Sequence, residues 1–308
     1  MTSTRQPGQV ILCLLFFLLL LPTSALGADV VVVKSKNLSV YDKAIEGFRS
    51  VYKGGLATLV MADDLSDPDD LVSAVRGKSP KVILAVGLGA AKVLTSRVTD
   101  IPIVFCMAMN PKQSKLHTDN ATGVDLEPRP REQLAAFKKA LPGVRRIGVI
   151  YDAKRTGAFI SAAGKASGEV GVGLVAIKVH EKKDVPAALK KLIKHVDALW
   201  LIRDATVMSR EFFKQTLIIQ FDKKIPLLAY SPMFVAQQAV CSFASSYSDQ
   251  GKKAAEITNS IIGGASPGDI PIQAPVGTLT VNPNSASKAG VEIPASVLSN
   301  PGVNKVGK

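Results

Sequence analysis

The sequence predicts an α/β protein built as two Rossmann-like lobes, each a parallel sheet covered by helices. Three observations predict it. From Val30 onward, short apolar runs alternate with stretches of helical period. The alternation comes in two series, divided near Asn120 to Glu127. About 280 residues follow an apolar leader, a length that suits two lobes better than one domain. Repeated strand–helix units bury their strands on both faces, so those strands read as unbroken apolar runs rather than alternating ones.

Residues 1–27 read as a cleavable secretory leader. Arg5 is the only charged side chain before Asp29, the run Val10 to Leu21 is apolar, Pro22 breaks it, and Ala25-Leu26-Gly27 offers small residues for cleavage. The run is short of the ~20 residues a helix needs to span a bilayer. Cys13 lies inside it and no cysteine follows the small residues, so lipid attachment is not expected.

In the first series Val30 to Val33 is a strand. Ser39 to Tyr52 is a helix, with Tyr41, Ile45, Phe48 and Tyr52 on one face and Gly54-Gly55 stopping it. Ala57 to Met61 is a strand, and Asp67-Pro68 opens a helix ending near Gly77. Lys81 to Val86 is a strand, Gly89 to Val98 a helix and Ile101 to Met107 a strand.

The second series begins with helix Arg131 to Leu141, strand Arg146 to Tyr151, helix Thr156 to Val170 and strand Gly173 to Val179. Helix Asp184 to His195, strand Ala198 to Ile202, helix Ser209 to Phe221 and strand Ile225 to Tyr230 follow. Val240 to Ser245 is strand-like, Ser248 to Ile262 a helix and Gly277 to Val281 the last strand. The Gly-, Asn- and Lys-rich tail from Asn300 reads as frayed.

Composition narrows the function. The formal charge is +13, and loss of residues 1–27 removes one base and no acid, leaving +12. The lysines (Lys34, Lys78, Lys138, Lys190, Lys214 and Lys252 among them) are spread along the chain with no aromatic-interleaved stripe, which argues against nucleic acid. A solvated basic surface explains them, or attraction to anionic lipid head groups or an acidic partner. Cys106 and Cys241 lie in apolar strands and read as buried thiols, although export permits a disulfide. His117, His180 and His195 stand far apart, so no metal site is expected.

In parallel sheets ligands bind beyond the carboxyl ends of the strands. Those ends read Val86-Gly87-Leu88-Gly89, Met107-Ala108-Met109-Asn110-Pro111, Tyr151-Asp152, Ile202-Arg203-Asp204 and Tyr230-Ser231-Pro232. The helix starts at Gly89 and Thr156 aim backbone N–H groups into the same space and suit a ligand carboxylate or another anion. Gly87 to Lys92 resembles a dinucleotide fingerprint, but Lys92 stands where a small residue must pack, and no acid follows about 20 residues on. No nucleotide or other cofactor is expected; the glycines let backbone approach a ligand. The acids Asp63, Asp64, Asp67, Asp69 and Asp70 lack the alternation of a calcium loop and read as helix capping and solvated loop. Asp204 stands at a strand tip, either capping the next helix or pairing with a substrate ammonium. No nucleophile–base pair or nucleophile elbow appears, which disfavours an enzyme.

Several stretches together resemble one family, the ABC transporter substrate-binding proteins of the tryptophan/tyrosine-uptake type, over nearly all of the chain past the leader. They are Ile83-Leu-Ala-Val-Gly-Leu-Gly-Ala-Ala91, Asp100-Ile-Pro-Ile-Val-Phe105, Asn120-Ala-Thr-Gly-Val124 and Leu141-Pro-Gly-Val-Arg-Arg-Ile-Gly-Val-Ile-Tyr151. Asp197-Ala-Leu-Trp-Leu-Ile-Arg-Asp-Ala-Thr-Val207, Gln238 to Ser245, Gly251 to Gly264 and Val281 to Pro294 continue the order. The departures are Met107-Ala-Met-Asn-Pro111 for a pattern ending in Thr-Asp-Pro, Leu88 for a hydroxyl, and Gln238 for a glycine. The first two make that wall more apolar and remove a charge.

The resemblance implies the type I periplasmic binding protein fold, with three crossings between lobes near Gly123, Ser246 and Gln273. Lobe 1 is then 28–123 and 247–272, and lobe 2 is 124–246 and 273–308. It implies a periplasmic monomer that closes on a small solute, with an aromatic or branched amino acid first among candidates, and passes it to permease subunits in the membrane. A sensory binding protein reporting to a membrane kinase or cyclase is the alternative. By the resemblance the ligand touches Gly87, Leu88, Gly89, Met109 and Asn110 in lobe 1, and Tyr151, Thr156, Asp204, Thr206 and Tyr230 in lobe 2.

Overall fold

The computed structural model describes residues 28–61, 65 and 67–307. The expected leader with its Cys13, and the acids Asp63 and Asp64, lie outside the described residues.

The first series folds as β1 (Val30–Lys34), α1 (Ser39–Val51), β2 (Leu56–Val60), α2 (Pro68–Arg76), β3 (Val82–Val86), α3 (Leu88–Arg97), β4 (Ile103–Ala108) and β5 (Ala121–Asp125). Its sheet has the order β2-β1-β3-β4-β5 and is parallel throughout. β3 and β4 are buried along their whole length, as is β1 up to and including its last residue Lys34, which is why Val30 to Val33, β3 and β4 read as apolar runs. One face packs against α1, where Ala44, Ile45 and Phe48 are buried, and the other against α2 and α3 through Leu71, Val75 and Leu94. Asp67 caps α2 by accepting from the Asp69 amide at 2.7 Å, with Pro68 in the first turn. β5 was not expected as a strand. Its residues carry no long apolar run, and its strand character comes from pairing with β4.

The second series folds as α4 (Pro130–Ala140), β6 (Arg146–Asp152), α5 (Ala153–Val170), β7 (Gly173–Val179), α6 (Val185–Leu192), β8 (Ala198–Trp200), α7 (Arg210–Asp222), β9 (Leu227–Ala229), α8 (Pro232–Ala236) and β10 (Cys241–Ala244). The chain then forms α9 (Tyr247–Ile262), β11 (Thr278–Val281), α10 (Pro283–Lys288), α11 (Ala295–Leu298) and β12 (Asn304–Lys305). The second sheet runs β12-β11-β10-β9-β8-β6-β7, parallel except where β10 meets β11. The tail is not frayed as expected: β12 pairs with β11, the Val306 amide bonds to the Val281 carbonyl at 2.9 Å, and Val303 is buried.

α9 leaves the second sheet and packs on α1 and β4 of the first. Ser246 caps it by accepting from the Asp249 amide at 3.0 Å. Gly251 faces the backbone of Ala44 and Phe48 on α1, leaving no room for a Cβ. Gly251→Val must push the two helices apart, at about 1–3 kcal/mol or more for overpacking. A lower thermal midpoint is expected; an unchanged one would show that α9 is not seated there. The chain passes between the sheets at three places. Two of them run side by side: Val124 pairs with Gln273, whose carbonyl accepts from the Asp125 amide at 2.9 Å and whose amide donates to Gly123 at 2.9 Å. Gln250 of α9 donates to the Asp125 carbonyl at 2.8 Å.

Candidate functional site

The carboxyl ends of both sheets face one gap. On the first lobe, β3 ends at Gly87, whose φ of +96° suits glycine; any Cβ there would press on the Tyr41 hydroxyl and Ser35. Ser35 Oγ donates to the Val86 carbonyl at 3.1 Å and accepts the Ala90 amide at 2.8 Å, so one N–H at the start of α3 is already taken. Burial holds the Tyr41 hydroxyl above the usual tyrosine range. Leu88 and Gly89 continue this wall beside Met61. Near the end of β4 the backbone takes a left-handed conformation at Met107 (φ 56°), and it does so again just beyond the strand at Asn110 (φ 50°), which carries Met109 and Asn110 toward the second lobe. Asn110 Nδ2 donates to the Arg155 carbonyl at 3.4 Å and Gln113 Nε2 to the Lys154 carbonyl at 3.1 Å, so this loop touches the first turn of α5.

On the second lobe, α5 starts at Ala153 rather than Thr156 because Asp152 caps it, accepting from the Lys154 amide at 2.9 Å. Asp204 is 1% exposed and receives four bonds. Oδ2 accepts from the Asp152 amide at 2.8 Å and from Thr156 Oγ1 at 2.6 Å. Oδ1 accepts from the Thr206 amide at 2.9 Å and the Val207 amide at 3.3 Å. Thr206 Oγ1 in turn donates to Asp152 at 2.8 Å and accepts from Arg155 Nε at 3.0 Å. The Thr206 hydroxyl, then the Lys154 amide, hold the Asp152 carboxyl below its ordinary range. This network corrects two expectations. Asp204 has no lone pair left for a ligand ammonium, because the loop after β8 and the start of α5 consume them all. The start of α5 does not suit a ligand carboxylate either, since Asp152 and Asp204 already place two acids there.

Between the lobes lies a narrow pocket. Met109 and Asn110 line it from the first lobe, and Glu127 and Gln133 from the crossing and α4. Thr156, Phe159, Ile202, Arg203 and Tyr230 complete it from the second. The cavity is small, ≈ 10 Å³, room for about one water. Of the ten residues singled out from the sequence, Met109, Asn110, Thr156 and Tyr230 meet here. Gly87, Leu88 and Gly89 form the adjoining first-lobe wall, Tyr151 packs on the second-lobe core, and Asp204 and Thr206 are buried beneath the pocket.

The charges in the pocket were not foreseen. Arg203 Nε and Glu127 Oε1 form a close ion pair, with side chains 24% and 12% exposed. The Arg203 guanidinium also sits 4.5 Å from the centre of the Tyr230 ring. Burial raises the Glu127 carboxyl above its ordinary range against the pull of Arg203. Burial likewise raises nearby Asp125 to about 6. Phe159 packs on Trp200 at 5.5 Å and Tyr230 on Phe234 at 4.9 Å, so both aromatic walls are braced from behind. The sequence signal for Arg203 was its place at a strand tip beside Asp204; Glu127 stood at the edge of the divide between the two series.

Size alone does not mark the site: a broader concavity, ≈ 1160 Å³, opens at the far end of the second lobe, where β6, β8 and β9 begin. Among the described residues Cys106 and Cys241 are buried and free, in different sheets, and burial raises their thiols, Cys106 to about 12. Among the described residues no group of three or more His, Cys, Asp or Glu could hold a metal ion, and no helix is long and apolar enough to cross a membrane.

Comparison with known proteins bears on the family and the fold. A family profile described as "ABC transporter substrate binding protein" matches residues 50–305. A tyrosine-binding protein of Clostridioides difficile (strain R20291) is 23% identical over 268 residues, covering 78% of this chain and 76% of that protein. The ligand-free, open structure of a substrate binding protein with adhesive properties from Clostridium difficile superposes with a TM-score of 0.73 at 19% identity, over 91% of this chain and 99% of that one. A domain from Streptococcus pneumonia in complex with L-Trp superposes with a TM-score of 0.64 at 19% identity, over 90% and 99%.

Proposed function

Because the chain belongs to the ABC transporter substrate-binding protein family and has the type I periplasmic binding protein fold, we propose that it captures an aromatic or branched amino acid between its lobes. In this reading it is exported to the periplasm by the leader 1–27 and delivers the amino acid to permease subunits in the membrane. The family is one of extracytoplasmic binding proteins.

The observation that carries the reading is the pair Glu127 and Arg203, opposite charges set in an aromatic-walled pocket between strand tips. A zwitterion matches it, its carboxylate taking Arg203 and its ammonium Glu127, while its side chain lies on Phe159, Ile202, Met109 and Tyr230. The tryptophan ligand of the Streptococcus pneumonia structure and the tyrosine in the name of the Clostridioides difficile protein support the same ligand class. The gap is too narrow for an amino acid, so the lobes must part to admit one and close on it. The ligand gains contacts with both lobes only in the closed form and shifts the population toward it. The hinge of this motion is the three crossings near Gly123, Ser246 and Gln273, dividing lobe 1 (28–123 and 247–272) from lobe 2 (124–246 and 273–308). Met109, Asn110, Thr156 and Tyr230 touch the ligand; Gly87, Leu88 and Gly89 flank it; Tyr151, Asp204 and Thr206 hold the second-lobe wall in place.

Trp200, the chain's only tryptophan, stands behind Phe159 and gives an internal reporter. Tyrosine or leucine should raise the thermal midpoint and change Trp200 emission. Tyramine and 4-hydroxyphenylpropionate, each lacking one charge, should do so far more weakly. No response to any standard amino acid would overturn the reading. A sensory protein would share the cleft and differ in partner. Loss of amino-acid uptake on deletion of the gene supports the importer, and intact uptake with a lost signalling response supports the sensor.

A further inference from the structure

The formal charge of +13 lies almost wholly outside the interlobe pocket, whose lining holds Arg203 and Glu127 as its charged side chains. Part of it gathers at the opposite end of the second lobe. Where β6, β8 and β9 begin, a concavity of ≈ 1160 Å³ has an apolar floor formed by Leu141, Val144, Ile193, Val196, Ile225 and Val291. Lys190, Lys194, Lys223 and Lys224 stand around it, all exposed. Among the described residues none of these four takes part in an ion pair. Two acids share the lining. Asp197 is engaged, accepting from the Arg145 and Arg146 amides at 3.1 and 2.9 Å and pairing with the Arg146 side chain; Glu292 is exposed. The rim therefore keeps a positive excess.

The edges of the concavity are braced. Lys138 Nζ donates to the carbonyls of Pro142 at 2.7 Å and Val144 at 2.9 Å, pinning the loop that forms one side. Lys224 Nζ donates to the Lys288 carbonyl at 2.7 Å and its stem lies over Gly290, fixing the other. A cavity of this size with an apolar floor and convergent cations has the make-up of a small-molecule site, and its charge selects the ligand's sign.

We propose that this concavity is a second binding site, for a small anionic amphiphile: a single carboxylate head held by Lys190, Lys194 and Lys223 over an apolar chain lying on Ile193, Val196 and Ile225. The site is separate from the interlobe pocket and can be filled together with it.

Dodecanoate, used below its micelle concentration, tests this by calorimetry on the purified protein. Saturable binding near one per chain is expected, weakened at least tenfold by the combined change Lys190→Glu, Lys194→Glu and Lys223→Glu. These three side chains are exposed, so the variant should fold, which its circular dichroism checks. Ile193→Trp, which fills the floor, should weaken dodecanoate independently of charge. The response to amino acids should be the same in both variants, so this proposal and the cleft reading fail separately. The proposal is overturned if dodecanoate does not bind, if dodecanol binds equally well, or if an amino acid displaces dodecanoate. It is also overturned if the protein binds phosphatidylglycerol vesicles but not free dodecanoate, which would make this end a membrane-facing surface instead.

Discussion

Arg203→Ala is expected to lower affinity for the amino acid by about 100-fold, the worth of roughly 1.5–3 kcal/mol for hydrogen bonds to a charged group. Two losses act together. The ligand carboxylate loses its guanidinium, and Glu127 loses the attraction that opposes its burial. The Glu127 carboxyl already lies above its ordinary range. Without Arg203 it rises further and takes up a proton at a higher pH, which removes the partner of the ligand ammonium as well. Arg203→Lys should fall between, since it keeps the charge but not the planar stack on Tyr230. Glu127→Gln should lower affinity for amino acids while sparing 4-hydroxyphenylpropionate, which has no ammonium. Titration calorimetry of the three variants gives the ranking, and unchanged affinity in Arg203→Ala would end the zwitterion assignment. The stability change should stay below the ~3–5 kcal/mol seen when one partner of a buried pair is removed, because the carboxyl left behind, Glu127, is already raised by burial and can take up a proton instead of staying charged and unpaired.

Asp204→Ala should destabilise the fold by about 3–5 kcal/mol, at the upper end for a single substitution. Four donors lose their acceptor at once: the amides of Asp152, Thr206 and Val207, and the Thr156 hydroxyl. Each buried donor left without a partner costs about 1–3 kcal/mol, and partial relaxation of the loop after β8 brings the sum down. Asp204→Asn should cost less. Its amide oxygen can still serve the Thr206 and Val207 amides, and the Thr156 hydroxyl can rotate to accept from its amide nitrogen, leaving one donor, the Asp152 amide, against another. Urea unfolding midpoints should therefore order wild type, Asn, Ala. Wild-type stability in Asp204→Ala with binding abolished would return Asp204 to the ligand.

The alternation of apolar runs and amphipathic helices and the two series were legible in the chain because each is a local property. A strand buried on both faces must be apolar along its length, and a covering helix must repeat about every 3.6 residues. The same reasoning failed where local signal is weak. β5 is a strand through its partner, and β12 through β11. The short helices α8, α10 and α11 fit no long periodic pattern. Of the strand-tip residues, Met109, Asn110, Thr156 and Tyr230 meet in one pocket.

The sequence by itself determined the α/β class, the paired runs of strand–helix units and the neighbourhood of the cleft, since these follow from period and order along one dimension. The tertiary structure alone decided the chemistry within that neighbourhood. It set Glu127 against Arg203, residues far apart in the chain, and it turned Asp204 inward to four donors while Arg203, the next residue, faced the gap. Adjacent residues at a strand tip share the same local pattern. Which one meets a ligand depends on how two separately folded sheets are brought face to face, and charge pairing and desolvation act only at that distance.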